Sequence, residues 1–264
     1  MIKKQYAGWE NIQTIQSKEI LSELLDAKEF QRAKLLISDT GLGKTNSIEM
    51  FKRAKPVHTY VITVGDSFKL VHIVDAILKM LGVEGPKNEW RAGMAKMMIN
   101  EKLELISEKL ATIGNKNGKP VIILDEAENV KPSALKMVKE LYDGIHKNCS
   151  IVLIGTDQIL DSILNRKSKN RQSVPQLWRR FKAGTRYITT LNKARDFKPF
   201  FDKYIPGNLP LHDLLNELCE NYGELHDYLD EFLRFCSEKN KEINEENFRM
   251  YHKVPKAGAL RKAS

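Results

Sequence analysis

The sequence predicts an α/β fold in which a mainly parallel sheet is flanked by helices and followed by a small helical region. Three observations predict it. Short apolar runs alternate with helical patterns up to about residue 191, as in parallel sheets with helical crossovers. Two of those runs, 121–124 and 151–154, are apolar at every position, which suits strands buried on both faces. After Asn192 the pattern becomes purely helical.

The elements can be placed in order along the chain. A first helix carries apolar residues at positions 20, 21, 24 and 25 on one face, and Ser17 can cap it. Strands are predicted at 35–37, 57–64, 121–124, 151–154 and 187–190. Helices are predicted from Thr45 to about Ala54, after Ser67, from about Asn88 to Ile113, after Pro132 and after Asp157. We expect an α/β domain over 1–191, a helical domain over 192–252 and a loose basic tail over 253–264.

Composition and charge limit the class of protein. Lys and Arg number 43 against 34 Asp and Glu, and a net charge of +9 favours an anionic partner, most commonly nucleic acid. The alternative is that the charge serves solubility alone. Three cysteines without a C-x-x-C pair argue against a disulfide framework or a zinc site. No signal peptide and no apolar run near the ~18 residues of a membrane span are visible, so we expect a cytoplasmic protein.

A glycine-containing loop between a predicted strand and a predicted helix has the setting of a phosphate-binding loop. It consists of Ser38, Asp39, Thr40, Gly41, Leu42, Gly43, Lys44 and Thr45. The two glycines let backbone N–H groups turn inward around phosphate oxygens. We expect Lys44 to bind the β- and γ-phosphates of ATP and Thr45 to bind Mg²⁺. The full pattern has glycine in place of Ser38, and the alternative is an ordinary glycine turn before a helix.

Two acids follow the apolar run that ends at Leu124. Asp125, at the strand end, can hold Mg²⁺ through water, and Glu126 can orient and deprotonate the water that attacks the phosphate. The alternative is that both acids begin the next helix, where negative charge is favourable. Because the loop lies about 80 residues upstream in an alternating β and α pattern, we favour the nucleotide-site interpretation.

The loop, the acid pair and the all-helical C-terminal region together resemble those of AAA+ ATPases. Two segments are similar to the TniB, TnsC and phage Mu B group of transposition ATPases. The run from Ile151 to Thr156 resembles their sensor strand. The run from Pro175 to Phe181 resembles their segment ending in Ser-Arg-Phe, with Arg179 in place of the serine. The resemblance covers roughly residues 15–250 and implies an AAA+ domain followed by a helical lid.

The resemblance also implies roles for single residues. Thr156 would sense the γ-phosphate, and Arg180 would be an arginine finger that acts in trans and therefore requires an oligomer. The alternatives are a strand-end hydroxyl that starts a turn and a solvated arginine, with Arg179 as the competing finger. Many AAA+ lids carry a sensor arginine three residues after a glycine, but here His226 follows Gly223. We interpret His226 as a packed or surface residue; the TniB-like group also tends to lack this arginine.

One interval of the chain is strongly basic. No acidic residue lies between Asp161 and Asp196, and the basic residues there begin with Arg166, Lys167, Lys169 and Arg171. Such an interval suits contacts to the phosphate backbone of double-stranded DNA without base reading. The alternatives are a disordered loop and a subunit interface that faces acids on a neighbour.

The function favoured by the sequence is an ATP-dependent, sequence-nonspecific DNA-binding regulator of transposition. In the resembled family such proteins form ATP-bound helical oligomers on target DNA and recruit or stimulate a transposase. The region before the loop is expected to be too short for the helix-turn-helix domain of phage Mu B. A secretion-type assembly ATPase and a nucleotide-switched protein scaffold stay open as alternatives. Replication-origin initiators fit less well, because they usually add a separate DNA-binding domain.

Overall fold

The structure is a computed structural model that describes residues 6–66, 68–83, 97–164 and 174–255. The chain forms two compact units. One consists of residues 16–39 and 44–189, and the other of residues up to 15, residues 40–43 and residues from 190 onward. No helix among the described residues is long and apolar enough to cross a membrane.

The first unit contains the sheet. Its strands are β1 (Lys34–Ile37), β2 (Thr59–Thr63), β3 (Val121–Asp125), β4 (Ser150–Gly155) and β5 (Thr185–Tyr187). Its helices are α1 (Ile15–Phe30), α2 (Lys44–Ala54), α3 (Leu70–Met80), α4 (Ile99–Asn115), α5 (Pro132–Ile145), α6 (Asp157–Leu164) and α7 (Val174–Phe181). Short 3-10 turns follow β3 at Ala127–Asn129 and α7 at Lys182–Gly184.

All the paired strands run parallel, in the order β2-β3-β4-β1-β5. Side chains alternate between the two faces of the sheet, so each face has its own core. On one face Leu36, Ile123 and Val152 pack with residues of α1 and α2. On the other face Leu35, Leu124 and Leu153 pack with residues of α3 to α7. The carboxyl ends of β1, β3 and β4 therefore meet at one edge, where open α/β sheets bind their ligands.

The second unit is helical. It contains α8 (Lys193–Asp196), α9 (Lys198–Tyr204), α10 (Leu209–Leu218), α11 (Tyr222–Lys239) and α12 (Glu245–His252). Phe197, Phe232 and Phe248 are fully buried in its core, which the N-terminal residues Tyr6 and Trp9 help to cover. Asn208, Asn221 and Asn244 each accept a backbone N–H at the start of a helix, as asparagine caps do.

The predicted fold class, a parallel sheet flanked by helices with a helical C-terminal region, is confirmed. Two local predictions were wrong. Helix α1 begins at Ile15, so Ser17 lies buried inside its first turn and does not cap it. The last strand is Thr185–Tyr187 and not 187–190, because the N–H and hydroxyl of Thr189 donate to the carboxylate of Glu19 at 2.8 and 2.6 Å. Ser67 and residues 88–96 lie outside the described residues.

Candidate functional site

The predicted phosphate loop connects β1 to the first residue of α2. Gly41 and Gly43 have φ of +75° and +78°, values that residues with a side chain rarely adopt. Ser38, which replaces a glycine of the full pattern, is outside this region of φ and is buried. Its N–H donates to the carbonyl of Gly155 at 2.9 Å and so continues the pairing of β1 with β4. Serine is therefore compatible with the first bend of the loop.

Lys44 reaches back over the loop. Its Nζ donates to the carbonyl oxygens of Ser38 at 3.0 Å and of Asp39 at 2.8 Å. Burial lowers the pKa of Lys44 below its usual value, and nearby carboxylates, Glu128 most strongly, oppose that shift. The cation is thus held at the start of a helix, where the N-terminal dipole also favours an anion.

Thr45 and Asp125 come together although they are 80 residues apart in the chain. The Thr45 hydroxyl donates to Asp125 Oδ2 at 2.8 Å. The other carboxylate oxygen of Asp125 accepts the N–H of Glu126 at 3.0 Å, and Asp125 is only 1% exposed. A hydroxyl and a carboxylate in contact offer the oxygen ligands that Mg²⁺ prefers. The structure therefore places the loop and the first predicted acid in one site.

Glu126 adopts an unusual backbone conformation. Its φ of 53° and ψ of 43° lie in the left-handed region, which costs a residue other than glycine roughly 1–3 kcal/mol. Its side chain is exposed, and Oε2 accepts a long hydrogen bond of 3.4 Å from Asn129 Nδ2. The same Asn129 amide donates to the carbonyl of Val64 at 2.8 Å. After this strained turn the Glu126 side chain is exposed beside Asn129.

Two buried oxygens at this edge have no hydrogen-bond partner among the described residues. One is the hydroxyl oxygen of Thr156, the residue after β4, and the other is Oε2 of Glu128. A Cβ added to Gly155 would lie 2.3 Å from Glu128 Oε2, so the carboxylate rests directly on the end of β4. Unpaired buried polar atoms are rare in native proteins, and both atoms here are free to bind a further group.

Arg180 is held on α5 of its own chain. Its guanidinium makes a two-pronged ion pair with Asp143, at 2.5 and 3.0 Å, and donates to the carbonyl of Gln176 at 2.9 Å. Burial raises the pKa of Asp143, but hydrogen bonds from Arg180 and Lys139 outweigh burial and leave that pKa below its usual value. Arg179, the competing finger, is exposed.

The tip of the loop belongs to the helical unit. The N–H of Tyr222 donates to the carbonyl of Gly41 at 3.2 Å. A methyl group on Gly41 would lie 2.3 Å from Cγ of Asn221, so the start of α11 needs glycine at that position of the loop. His226 contacts Asp227 through Nδ1 at 2.8 Å and packs edge-on against the ring of Trp9.

The predicted residues differ in how far the structure brings them together. Lys44, Thr45, Asp125 and Thr156 lie on elements that meet at one edge of the sheet. The predicted DNA-contacting residues Arg166, Lys167, Lys169 and Arg171 lie outside the described residues. Sequence reasoning missed Glu128 and Asn221. An acid three positions beyond Asp125 could have pointed to Glu128, whereas the contact of Asn221 with the loop has no pattern in the sequence.

Several solved structures are similar to this one. Cdc6p from Pyrobaculum aerophilum is 15% identical, with a TM-score of 0.62 over 85% of this chain and 62% of that chain. The ADP form of the Aeropyrum pernix ORC2 protein is 13% identical, with a TM-score of 0.63 over 96% of this chain and 71% of that one. Drosophila ORC bound to AT-rich DNA and Cdc6 is 10% identical, with a TM-score of 0.53 over 91% of this chain and 44% of that one.

These likenesses show the fold, an AAA+ P-loop fold with helices after the sheet. No curated protein matches the sequence. The narrower TniB and TnsC group stays a prediction. The family described as AAA domain matches residues 12–164, which is more than half of the 264 residues. The chain therefore belongs to the AAA domain family.

Proposed function

We propose that this protein binds Mg-ATP at the loop 38–45, hydrolyses it to ADP and phosphate, and in the ATP-bound state assembles on double-stranded DNA. The observation that carries the proposal is the contact between the Thr45 hydroxyl and the Asp125 carboxylate at 2.8 Å, directly beside Lys44. A phosphate-binding loop joined to a buried acid at the end of a parallel strand is what a nucleotide site requires.

Each polar group has a distinct task in this proposal. Lys44 exchanges the carbonyl oxygens of Ser38 and Asp39 for phosphate oxygens when the nucleotide binds. Thr45 and Asp125 hold Mg²⁺, which neutralises charge on the phosphates when bound. Glu126 orients the attacking water and takes its proton. The Thr156 hydroxyl, buried and unpaired among the described residues, supplies a hydrogen bond to the γ-phosphate or to that water.

Turnover measured with and without duplex DNA tests this function. If DNA assembles the active oligomer, we expect added duplex to stimulate ATP hydrolysis by the purified chain. Hydrolysis that DNA leaves unchanged, in a protein that binds no DNA, would favour a secretion-type assembly ATPase. ATP binding with almost no hydrolysis under either condition would favour the nucleotide-switched scaffold.

DNA binding is expected to be sequence-independent and steeply dependent on salt. The chain carries a net charge of +9, and its acid-free interval between Asp161 and Asp196 concentrates positive charge. Replacing Arg166, Lys167 and Lys169 by glutamine should lower the slope of log affinity against log salt by up to about 2.7, since each phosphate contact contributes about 0.9. Fluorescence anisotropy of a labelled duplex in ATP measures the slope.

A matched triple substitution controls for net charge in that experiment. Lys52, Arg53 and Lys55 are exposed near the end of α2, and replacing them by glutamine removes the same number of charges. We expect the control to keep nearly the whole slope of the wild type. Equal losses in the two variants would show that only net charge matters, and an affinity insensitive to salt would rule out binding to the DNA backbone.

Glu126→Gln is expected to separate ATP binding from hydrolysis. The amide keeps the size of the side chain but cannot accept the proton, so turnover should fall by about 10²–10⁴ while ATP affinity stays close to that of the wild type. If ATP holds the oligomer on DNA, the variant should form long-lived DNA-bound assemblies, because a ligand that favours the assembled state stabilises it until hydrolysis. Dissociation after dilution, followed by anisotropy, measures this lifetime.

The exposed Glu108 on α4 offers a control for Glu126→Gln. Glu108→Gln should dissociate from DNA at the wild-type rate and keep full turnover. If Glu126→Gln has lost turnover yet leaves DNA as fast as the wild type, hydrolysis does not govern release, and the scaffold interpretation becomes preferable.

We further propose that the DNA-bound oligomer regulates transposition by recruiting a transposase, as the similarity of 151–156 and 175–181 to TniB-like proteins suggests. A second candidate is a role like that of Cdc6 and ORC, supported by structural similarity to those proteins, one of them in a complex with AT-rich DNA. A transposase encoded beside this chain and bound by its ATP form would favour transposition. Preference for AT-rich over mixed duplex, without such a partner, would favour the second candidate.

A further inference from the structure

Glu128 is an acid in the 3-10 turn after β3 that none of the tasks above employs. One oxygen of its carboxylate, Oε2, is buried without a hydrogen-bond partner among the described residues. Burying a carboxylate oxygen without a donor is costly, and one orphaned oxygen of this kind calls for a specific explanation.

The carboxylate of Glu128 packs against Gly155. A Cβ on Gly155 would meet Glu128 Oε2 at 2.3 Å and the backbone nitrogen of Glu128 at 3.1 Å, so the carboxylate in this position uses the space that the missing side chain leaves. The carbonyl of the same Gly155 accepts the N–H of Ser38, the first residue of the loop. Glu128 therefore lies at the edge of the sheet where the loop begins.

The loop that begins beside this carboxylate ends at Lys44 and Thr45. Because Glu128 Oε2 rests on Gly155, and Gly155 pairs with Ser38, the acid lies next to the predicted phosphate site. The residue that follows Gly155, just after β4, is Thr156, whose buried hydroxyl oxygen is also without a partner among the described residues. An acceptor and a hydroxyl are thus both available beside the predicted position of the phosphates.

We propose that Glu128 is a third acid of the nucleotide site and accepts hydrogen bonds from the water shell of the Mg²⁺ that accompanies ATP. The proposal rests on the proposed function, since it concerns the same site. Mg²⁺ in nucleotide sites keeps several of its waters, and these waters are strong donors to a carboxylate. Glu128 acts here as a positioning residue, through water rather than by direct contact with the phosphates.

The charge of Glu128 would also let the site distinguish metal-free ATP from Mg-ATP. Without a cation, a carboxylate beside the triphosphate repels it, because two negative charges at short range in a partly buried site interact strongly. With Mg²⁺ present, the same carboxylate binds the hydrated ion and becomes favourable. Glu128 should therefore weaken metal-free ATP binding and strengthen Mg-ATP binding.

The test compares ATP affinity, measured by calorimetry, in EDTA and in Mg²⁺. We expect Glu128→Gln to bind ATP about tenfold more tightly than the wild type in EDTA and more weakly than the wild type in Mg²⁺. Glu128→Asp keeps the charge and should stay nearer to the wild type in both conditions. The control is Glu140→Gln, a partly buried glutamate on α5, which should match the wild type throughout.

The other possible results of this calorimetric experiment contradict different parts of the proposal. If the ratio of ATP affinity in Mg²⁺ to ATP affinity in EDTA is the same for Glu128→Gln and the wild type, Glu128 does not bind the water shell of Mg²⁺. The ATP site itself would then remain as proposed. An equal loss of affinity in both conditions, together with a lower unfolding temperature, would assign Glu128 a purely structural role. A wild-type protein that binds ATP in neither condition would overturn the proposed function itself.

Discussion

Lys44→Ala is expected to abolish ATP binding and, with it, turnover. The lysine is the cation at the predicted phosphate-binding loop, where its Nζ donates to two loop carbonyls, and alanine removes the positive charge that would balance the β- and γ-phosphates. Calorimetric titration with Mg-ATP measures the loss. The fold should survive, because the Lys44 side chain is only partly buried and forms no ion pair with an acid among the described residues.

Lys52, an exposed cation on the same helix, is the control for that experiment. Lys52→Ala removes one positive charge from α2 and should bind ATP as the wild type does. Equal ATP affinity in Lys44→Ala and the wild type would mean that the loop is an ordinary glycine turn before a helix, as the sequence alone also allows.

Arg180→Ala is expected to keep ATP binding and to lower the turnover rate by a factor of about 10³–10⁵, the range measured for arginine fingers in other nucleotide hydrolases. In its own chain Arg180 is paired with Asp143 and stacked over Tyr142. That ion pair fixes the guanidinium on α5, and a fixed guanidinium could be presented to a neighbouring subunit. Single-turnover measurement of the hydrolysis of pre-bound ATP separates the chemical step from ATP binding.

Mixing subunits tests whether the finger acts in trans. A Lys44→Ala subunit cannot hydrolyse ATP but has an intact Arg180, so it should partly restore turnover when mixed with Arg180→Ala protein. Arg179→Ala is the matched comparison, since Arg179 is the exposed neighbour on the same helix. Loss of turnover in Arg179→Ala alone would transfer the role to that residue. Absence of rescue, or full turnover of Arg180→Ala in a strictly monomeric protein, would leave Arg180 a surface arginine.

Most of the fold could be predicted from the sequence, since the continuously apolar runs at 121–124 and 151–154 suit strands covered on both faces, and both are such strands. The last strand could not be predicted correctly. Thr185, Arg186 and Tyr187 pair with β1 at the edge of the sheet, and nothing in their composition distinguishes them from the following residues. Residue Thr189 is held instead by Glu19, which is 170 positions away.

In the candidate site, too, some features could be predicted from the sequence and others could not. The contact of Thr45 with Asp125 and the place of Lys44 at the start of α2 could be predicted, because a phosphate-binding loop requires fixed spacing from a strand end; the roles of these residues stay predictions. The contact of Glu128 with Gly155 comes just after a left-handed turn at Glu126, which local sequence does not specify for a residue with a side chain. The pairing of Arg180 with Asp143 likewise depends on how α5 and α7 pack.

The most direct test of the account is whether nucleotide at the loop controls binding to DNA. Anisotropy of a labelled duplex of mixed sequence, at one fixed salt concentration, can be measured for the wild type and for Lys44→Ala with Mg-ATP, with Mg-ADP and without nucleotide. We predict tight binding for the wild type in ATP alone, and weak binding in the other five cases. Equal affinity in all six cases, or no DNA binding in any of them, would contradict the account.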